Sequence, residues 1–379
     1  MSTHDVCVVG LGTMGAHTAL ELRRRGLRVV GVDRYSPPHD LGSSHGRTRV
    51  IREAYFEHPL YVPIIQRAYE LWGRLERDSG RSLVTYTGGL MIGPPEGELV
   101  AGALRSANEH GLPYQEMSAS AVMAQVPVFE VPEGFVGVYE PRAGVVAAER
   151  SIKAVLELAA ASGCELRLEE EVLGWERVGA RLRISTTRGR LEARALVLAG
   201  GPWTADLVDV RPPLSVARQP LVWFEPKARH ELFDAIPIYL WELESGEIFY
   251  GFPREEAGLK LARHHRGELT SPGLVDRELR REDEEILRGF LSRSMPDGNG
   301  PRLEYAICMY TNTPDGNFVL DRLPGDDRVV IVSACSGHGF KFSPAIGEIA
   351  ADLVTGSAPA FDLEPFRFGR STGAQDTEL

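Results

Sequence analysis

The run Gly10-Leu11-Gly12-Thr13-Met14-Gly15 constrains this chain more than any other feature. It follows a short apolar stretch, residues 5–10 (DVCVVG), and opens a helix-forming stretch over 16–25. A second apolar stretch, 27–33 (LRVVGVD), ends on Asp33. Apolar runs without alternation are the mark of strands buried on both faces of a parallel sheet. The three segments therefore predict a βαβ unit. In it Gly10 makes the tight turn, Gly12 lets a pyrophosphate approach the backbone, and Gly15 lets helix pack on strand. The pyrophosphate is expected at the helix N-terminus, beside Thr13 and Met14, where free N–H groups and the dipole attract it. Asp33 is placed to accept hydrogen bonds from a ribose. The motif predicts a dinucleotide and leaves FAD and NAD both open.

Further along, 35–49 is rich in Pro, Gly, Ser and His and reads as a long loop. Tyr61, Ile64, Ile65, Ala68, Leu71, Trp72 and Leu75 fall on one face of a predicted helix over 59–78. A strand over 83–92 and helices over 97–110 and 147–162 follow, the last after a turn at Ala143-Gly144. Strands are predicted at 165–174, 181–187 and 194–199, the last again ending in glycines. Alternating segments between 215 and 265 predict antiparallel strands of a different sheet. A charged helix over 274–294, strands at 303–310, 317–321 and 329–335, and a helix over 340–355 complete the chain. The fold class expected is α/β (α+β overall). A Rossmann-like dinucleotide domain, 1–82, 145–214 and 312–379, interleaves with a substrate domain on a mixed or antiparallel sheet, 83–144 and 215–311.

Charge narrows the partners. With 42 Lys+Arg against 53 Asp+Glu the net charge is −11. That argues against nucleic acid and against anionic membranes. Arg23-Arg24-Arg25 reads as a solvated helix face. No 18-residue apolar run predicts a transmembrane helix. The start, MSTHDVCVVG, lacks the features of a secretory signal, and the final Asp-Thr-Glu-Leu is no lipidation or peroxisomal tail. Cys7, Cys164, Cys308 and Cys335 are widely spaced, which suggests a reducing, cytoplasmic setting without disulfides or a metal site. Only four basic residues are lysines: Lys153, Lys227, Lys260 and Lys341. Lys153 and Lys227 read as surface residues.

Three further segments bear on the cofactor. They are Gly42-Ser43-Ser44-His45-Gly46-Arg47-Thr48-Arg49-Val50-Ile51-Arg52, Tyr305-Ala306-Ile307-Cys308-Met309-Tyr310-Thr311 and Ser336-Gly337-His338-Gly339-Phe340-Lys341-Phe342. With the N-terminal glycines they resemble the monomeric sarcosine oxidase and N-methyltryptophan oxidase family, end to end. The resemblance implies FAD, held covalently by a thioether from Cys308 to the flavin 8α-methyl. It implies that Arg52 and Lys341 bind a substrate carboxylate, that Lys260 activates oxygen, and that Arg49 lies at the flavin ring. It places Ser43, His45 and Thr48 at the cofactor, together with Arg34, Val172, Gly337, Gly339, Phe340 and Lys341. His264, Tyr250, Tyr310 and Leu240 match positions around the substrate.

The activity implied is oxidative demethylation of sarcosine or a related secondary amino acid. Oxygen is the acceptor, and the products are the amino acid, formaldehyde and hydrogen peroxide. Oxidation of a cyclic secondary amino acid such as L-proline or pipecolate is the nearest alternative. An NAD-dependent dehydrogenase or a flavin-binding protein without turnover is more remote. A monomer without an obligate protein partner is implied. Two departures stand out: Ser44 and Arg47 replace a His and an Asp of the best-known members, and the second reverses a charge near the cofactor loop.

Overall fold

A computed structural model describes residues 3–372. The final Asp-Thr-Glu-Leu, read above for targeting signals, lies outside the described residues. The predicted βαβ unit is present as strand Thr3–Val9, helix Thr13–Arg24 and strand Val29–Val32. The first strand pairs in parallel with the second, Val8 beside Gly31, and with strand Gly189–Leu198, Val8 beside Val197. Alternate residues face opposite sides, and both sides are filled. Val6, Val8 and Val29 pack with the helix Thr13–Arg24, while Cys7, Val9, Val30 and Val32 pack with Leu182, Ile184 and Leu198. Two-sided burial explains the unbroken apolar runs. Eight strands, drawn from residues 3–32, 165–198 and 319–333, form this sheet.

A second sheet of nine strands draws on residues 89–140 and 215–312. Its longest ladder joins Ser215–Phe224 to Arg302–Asn312, antiparallel, with Gln219 opposite Cys308 and Ala217 opposite Tyr310. On its other side Trp223 lies opposite Lys260 in strand Leu259–His264. Leu259 and Leu261 point into an apolar cluster with Phe290 of helix Arg281–Ser294. Leu221, Trp223, Ala262 and Cys308 cluster together on the opposite side. A small third sheet joins Thr48–Ile51, Gly144–Ala147 and Val84–Tyr86.

Several boundaries differ from expectation, each for a local reason. The single strand over 83–92 is two strands in different sheets, broken at Gly88, which has φ +69°. The strand over 165–174 is likewise split. Between its parts the Glu169 and Glu170 amides turn aside to the Tyr35 and Asp33 carbonyls. The turn expected at Ala143-Gly144 is the start of strand Gly144–Ala147 instead. Residues 111–142, to which the sequence reading assigns no element, hold strands Gln115–Ser118 and Val136–Glu140 and helix Ala119–Gln125. The charged helix begins at Arg281 rather than at 274. The carbonyls of Asp276 and Glu278 are taken by the buried Arg218 guanidinium, not by amides one turn ahead.

Arg23, Arg24 and Arg25 are half-buried ties rather than a free solvated face. Arg23 holds the Leu27 and Ser162 carbonyls, Arg24 pairs with Asp78, and Arg25 pairs with Asp352. Lys153 and Lys227 are exposed, as expected. Among the described residues no helix is long and apolar enough to cross a membrane.

Candidate active site

Between the two large sheets lies one continuous cavity of about 1920 Å³, counting the space at its open mouth. Its walls run from Gly10 and Asp33 to Cys308, Tyr310 and Lys341, so an extended ligand has room to lie along it. One end is built by the glycine turn. A Cβ on Gly10 would stand 2.4 Å from the Ala199 carbonyl oxygen, and one on Gly15 would stand 1.8 Å from that of Gly10. Packing thus forces both glycines. Gly12 is different: the nearest atom to its imagined Cβ is Ser44 Oγ at 3.6 Å. The space above Gly12 is left open within the cavity. The helix that begins at Thr13 has no side-chain cap and no acidic residue in its first turn. The Thr13 and Ser43 hydroxyls are buried without hydrogen-bond partners. An uncapped helix start with idle hydroxyls fits a phosphate.

Asp33 sits farther along the cavity wall. Its carboxylate accepts the Leu11 amide at 2.6 Å and the Tyr35 amide at 2.8 Å. Arg34 pairs with Glu171, and its guanidinium lies 5.4 Å from the Trp203 ring centre. Val172 lines the wall nearby.

The other end belongs to the second sheet. Cys308 is buried, with Arg49 Nη2 at 3.5 Å from its sulfur and the Ser43 carbonyl at 3.5 Å. Burial alone would raise the thiol's pKa, but His45 and Arg49 outweigh it and bring it down to about 6. A thiol so placed is largely thiolate at neutral pH and is a competent nucleophile. Burial sends the other cysteines the opposite way: Cys7 up to about 12 and Cys164 up to about 11. Cys335 is only half-buried and lines the cavity.

Two buried cations occupy the same end. Arg52, only 2% exposed, is no surface residue. Its fork binds the Glu57 carboxylate at 2.7 and 2.8 Å and the Ala54 carbonyl at 2.9 Å. Lys341 Nζ donates to the His338 carbonyl at 2.8 Å, and Trp72 holds the Lys341 carbonyl at 2.8 Å. Both cations stand against Tyr55, Arg52 at 4.4 Å and Lys341 at 5.1 Å from the ring centre. Tyr55 itself is fixed by a hydrogen bond to His338 Nδ1. Leu240, Tyr250, His264 and Tyr310 complete the wall. His264 Nδ1 lies 3.4 Å from the Tyr310 hydroxyl. Burial, then the neighbouring His265, holds the His264 pKa well below the usual histidine value. Strand alternation turns Leu240 to the cavity and Trp241 into the Phe290 cluster.

Most predicted residues line the cavity, among them Met14, Gly337, Gly339 and Phe340. Gly15, His45, Thr48 and Lys260 stand behind its surface. Lys260 is buried and faces the 46–49 loop. Its Nζ donates to Gly46 O at 2.6 Å, Thr48 O at 2.8 Å and Thr48 Oγ1 at 3.2 Å. Burial, then Arg49, lowers its pKa well below the usual lysine value. Arg47, expected to reverse a charge near the cofactor loop, is exposed and pairs outward with Glu304 at 2.6 Å. Ser44 does line the cavity. Sequence reasoning missed Glu57, Tyr55 and Trp203. Glu57 lies five residues after Arg52, but no motif marks it. His338 stood inside a quoted motif without a role.

A family model described as "FAD dependent oxidoreductase" matches residues 5–353. The chain belongs to the FAD-dependent oxidoreductases. This oxidoreductase is 40% identical to a monomeric sarcosine oxidase of Streptomyces avermitilis, covering 96% of this chain and 97% of that one. It is 34% identical to an N-methyl-L-tryptophan oxidase of Citrobacter koseri, covering 97% and 99%. The family supplies the cofactor, FAD, and the cleft just described has the cradle for it. In fold this oxidoreductase is similar to NikD, an amino acid oxidase of nikkomycin biosynthesis. The TM-score is 0.85 at 23% identity over 98% of this chain and 99% of that one. It is also similar to an L-proline dehydrogenase from P. horikoshii, with a TM-score of 0.83 at 21% identity over 97% of each.

Proposed function

We propose that this chain oxidatively demethylates a small N-methyl amino acid, sarcosine or a related secondary amino acid. Oxygen is the acceptor, and the products are the amino acid, formaldehyde and hydrogen peroxide. One observation carries the reading: two buried cations, Arg52 and Lys341, share a cavity end with a thiolate-forming Cys308. A carboxylate held by a guanidinium fork and an ammonium is fixed in position and orientation. The names of the relatives, both N-methyl amino acid oxidases, support the same class.

The residues divide the work. Gly10, Gly12, Thr13 and Met14 receive the pyrophosphate, and Asp33 the ribose. The parts carrying the first sheet (1–82, 145–214, 312–379) hold the cofactor, and those carrying the second (83–144, 215–311) close over the substrate. Cys308 holds the flavin covalently, its thiolate favoured by His45 and Arg49. When bound, the flavin takes two electrons from the substrate and passes them to oxygen. Arg52 exchanges Glu57 for the substrate carboxylate, and Lys341 binds its other oxygen. Tyr250, Tyr310 and Leu240 enclose the N-methyl group and exclude water. His264 is kept neutral by burial, so its ring adds no positive charge beside an amine that must react with its lone pair free. Lys260 and Arg49 put positive charge where a reduced oxygen species gains its negative charge.

The test is a panel of N-methyl and cyclic secondary amino acids assayed for peroxide and formaldehyde in parallel. Equal amounts of both from an N-methyl amino acid are expected. Peroxide without formaldehyde, from L-proline or pipecolate alone, would replace demethylation by ring oxidation.

A further inference from the structure

The loop that brings Ser43, His45 and Arg49 to Cys308 is fastened by a residue outside the cavity. Arg277 is half-buried in the segment before helix Arg281–Ser294. Its Nη1 donates to the Asp40 carbonyl at 3.0 Å and the Ile307 carbonyl at 2.9 Å, and its Nη2 donates to the Leu41 carbonyl at 2.7 Å. One guanidinium thus buckles the loop to the strand, one residue before Cys308. Pro220 lies opposite Ile307 in the ladder and has no N–H to offer its carbonyl. The segment carrying Arg277 is itself anchored. Buried Arg218, from the neighbouring strand, binds the carbonyls on either side, Asp276 and Glu278, and pairs with Asp283 at 2.8 Å. The far end of the loop is held separately, by Glu149 accepting the Gly46 and Arg47 amides at 2.7 and 3.0 Å.

We infer that Arg277 is a positioning residue for flavin attachment, because its fork sets the distance between the Ser43–Arg49 loop and Cys308. The inference rests on the proposed thioether. In that reaction one sulfur–carbon bond replaces the thiol S–H and one 8α C–H. The two protons and two electrons leave through the flavin to oxygen, giving one hydrogen peroxide. Arg277 touches none of the reacting atoms. It holds the cation-bearing loop in place while the thiolate attacks.

The full-length chain, produced with riboflavin limited and then given FAD, is sampled over time. Each sample is precipitated with acid, and flavin is measured in pellet and supernatant. FAD binding is followed separately by the visible spectrum of the native protein. Arg277→Ala is expected to bind FAD yet to accumulate pellet flavin roughly tenfold more slowly. Arg277→Lys keeps the charge but lacks the fork, so an intermediate rate is expected. Arg281→Ala, on the exposed helix start, is expected to match the unaltered chain. Wild-type attachment rates in both Arg277 variants would overturn the inference. So would FAD binding weakened in step with attachment, which would make Arg277 a general fold residue. Should the alanine variant fail to fold, the lysine variant decides alone. Cys308→Ala separates the underlying reading: flavin retained in its pellet would sink the thioether itself, whatever Arg277 does.

Discussion

Lys341 is buried, and burial with Arg52 beside it brings its pKa down to about 7, while Glu57 pulls the other way. Around neutrality it therefore carries a proton only part of the time. A bound carboxylate favours the charged form. Binding of a carboxylate ligand is thus expected to take up protons above about pH 7 and to weaken as pH rises further. Calorimetry in buffers of different ionisation enthalpy would show it, and buffer-independent heats would exclude it. Stability follows the opposite sense. The folded value lies below the ordinary 10.5, so the unfolded chain binds more protons in between. The cost of burying the ammonium is complete below about 7 and is relieved as pH climbs toward 10.5. Lys341→Met should flatten that rise in denaturant titrations. Lys260 makes a sharper case against arginine. Its ammonium meets three oxygens and lies 5.4 and 4.6 Å from the Trp223 and Phe252 ring centres. A planar guanidinium is larger and cannot meet that set. Lys260→Arg should slow reoxidation of the reduced enzyme by oxygen at least about tenfold, although the charge is kept. A normal oxidative half-reaction in stopped flow would remove Lys260 from the oxygen step.

Elements were legible where one period ran uninterrupted. The strand–glycine–helix unit at the N-terminus was plain because each strand is buried on both faces, and the helix over 59–78 because its apolar stripe is long. Elements became illegible where a side chain elsewhere decided the backbone. Arg218, some sixty positions away in sequence, withholds the Asp276 and Glu278 carbonyls from the charged helix. At 83–92 the signal is in the sequence itself: the Gly88-Gly89 pair marks a turn, and Gly88 divides the stretch between two sheets. The glycine turn itself carries a graded prediction. Gly15→Ala forces a Cβ to within 1.8 Å of the Gly10 carbonyl, and overpacking against backbone costs about 3 kcal/mol. Gly12→Ala meets nothing closer than 3.6 Å, so the fold should keep its stability. FAD should nevertheless bind it less well, since the added methyl occupies the space meant for phosphate. Comparing Tm and FAD titration for the two variants checks this. Equal stability loss in both would contradict the separation of packing from cofactor roles.

At the scale of the whole molecule the site is a seam, and seams are hard to read from sequence. The motifs hold many of the wall residues, because each motif is a run with its own signature. The pairings across the seam were not visible: Arg277 with the Asp40 and Leu41 carbonyls, Lys260 with those of Gly46 and Thr48. They depend on how two sheets built from interleaved segments face each other. The same geometry makes the cofactor part of the fold, since FAD would touch walls supplied by both sheets. A ligand bound only to the folded state stabilises it by mass action, about 2.7 kcal/mol at a hundred times Kd. A covalent ligand does not, because it stays on the unfolded chain and adds nothing that dilution can remove. Cys308→Ala should therefore show a Tm that rises with added FAD, whereas the unaltered holoenzyme should melt at one temperature at any free FAD concentration. Two melting series, with and without excess FAD, decide it. An unaltered protein whose Tm tracks free FAD as the variant's does would mean that the flavin is held by the cleft alone and that Cys308 is only a low-pKa neighbour.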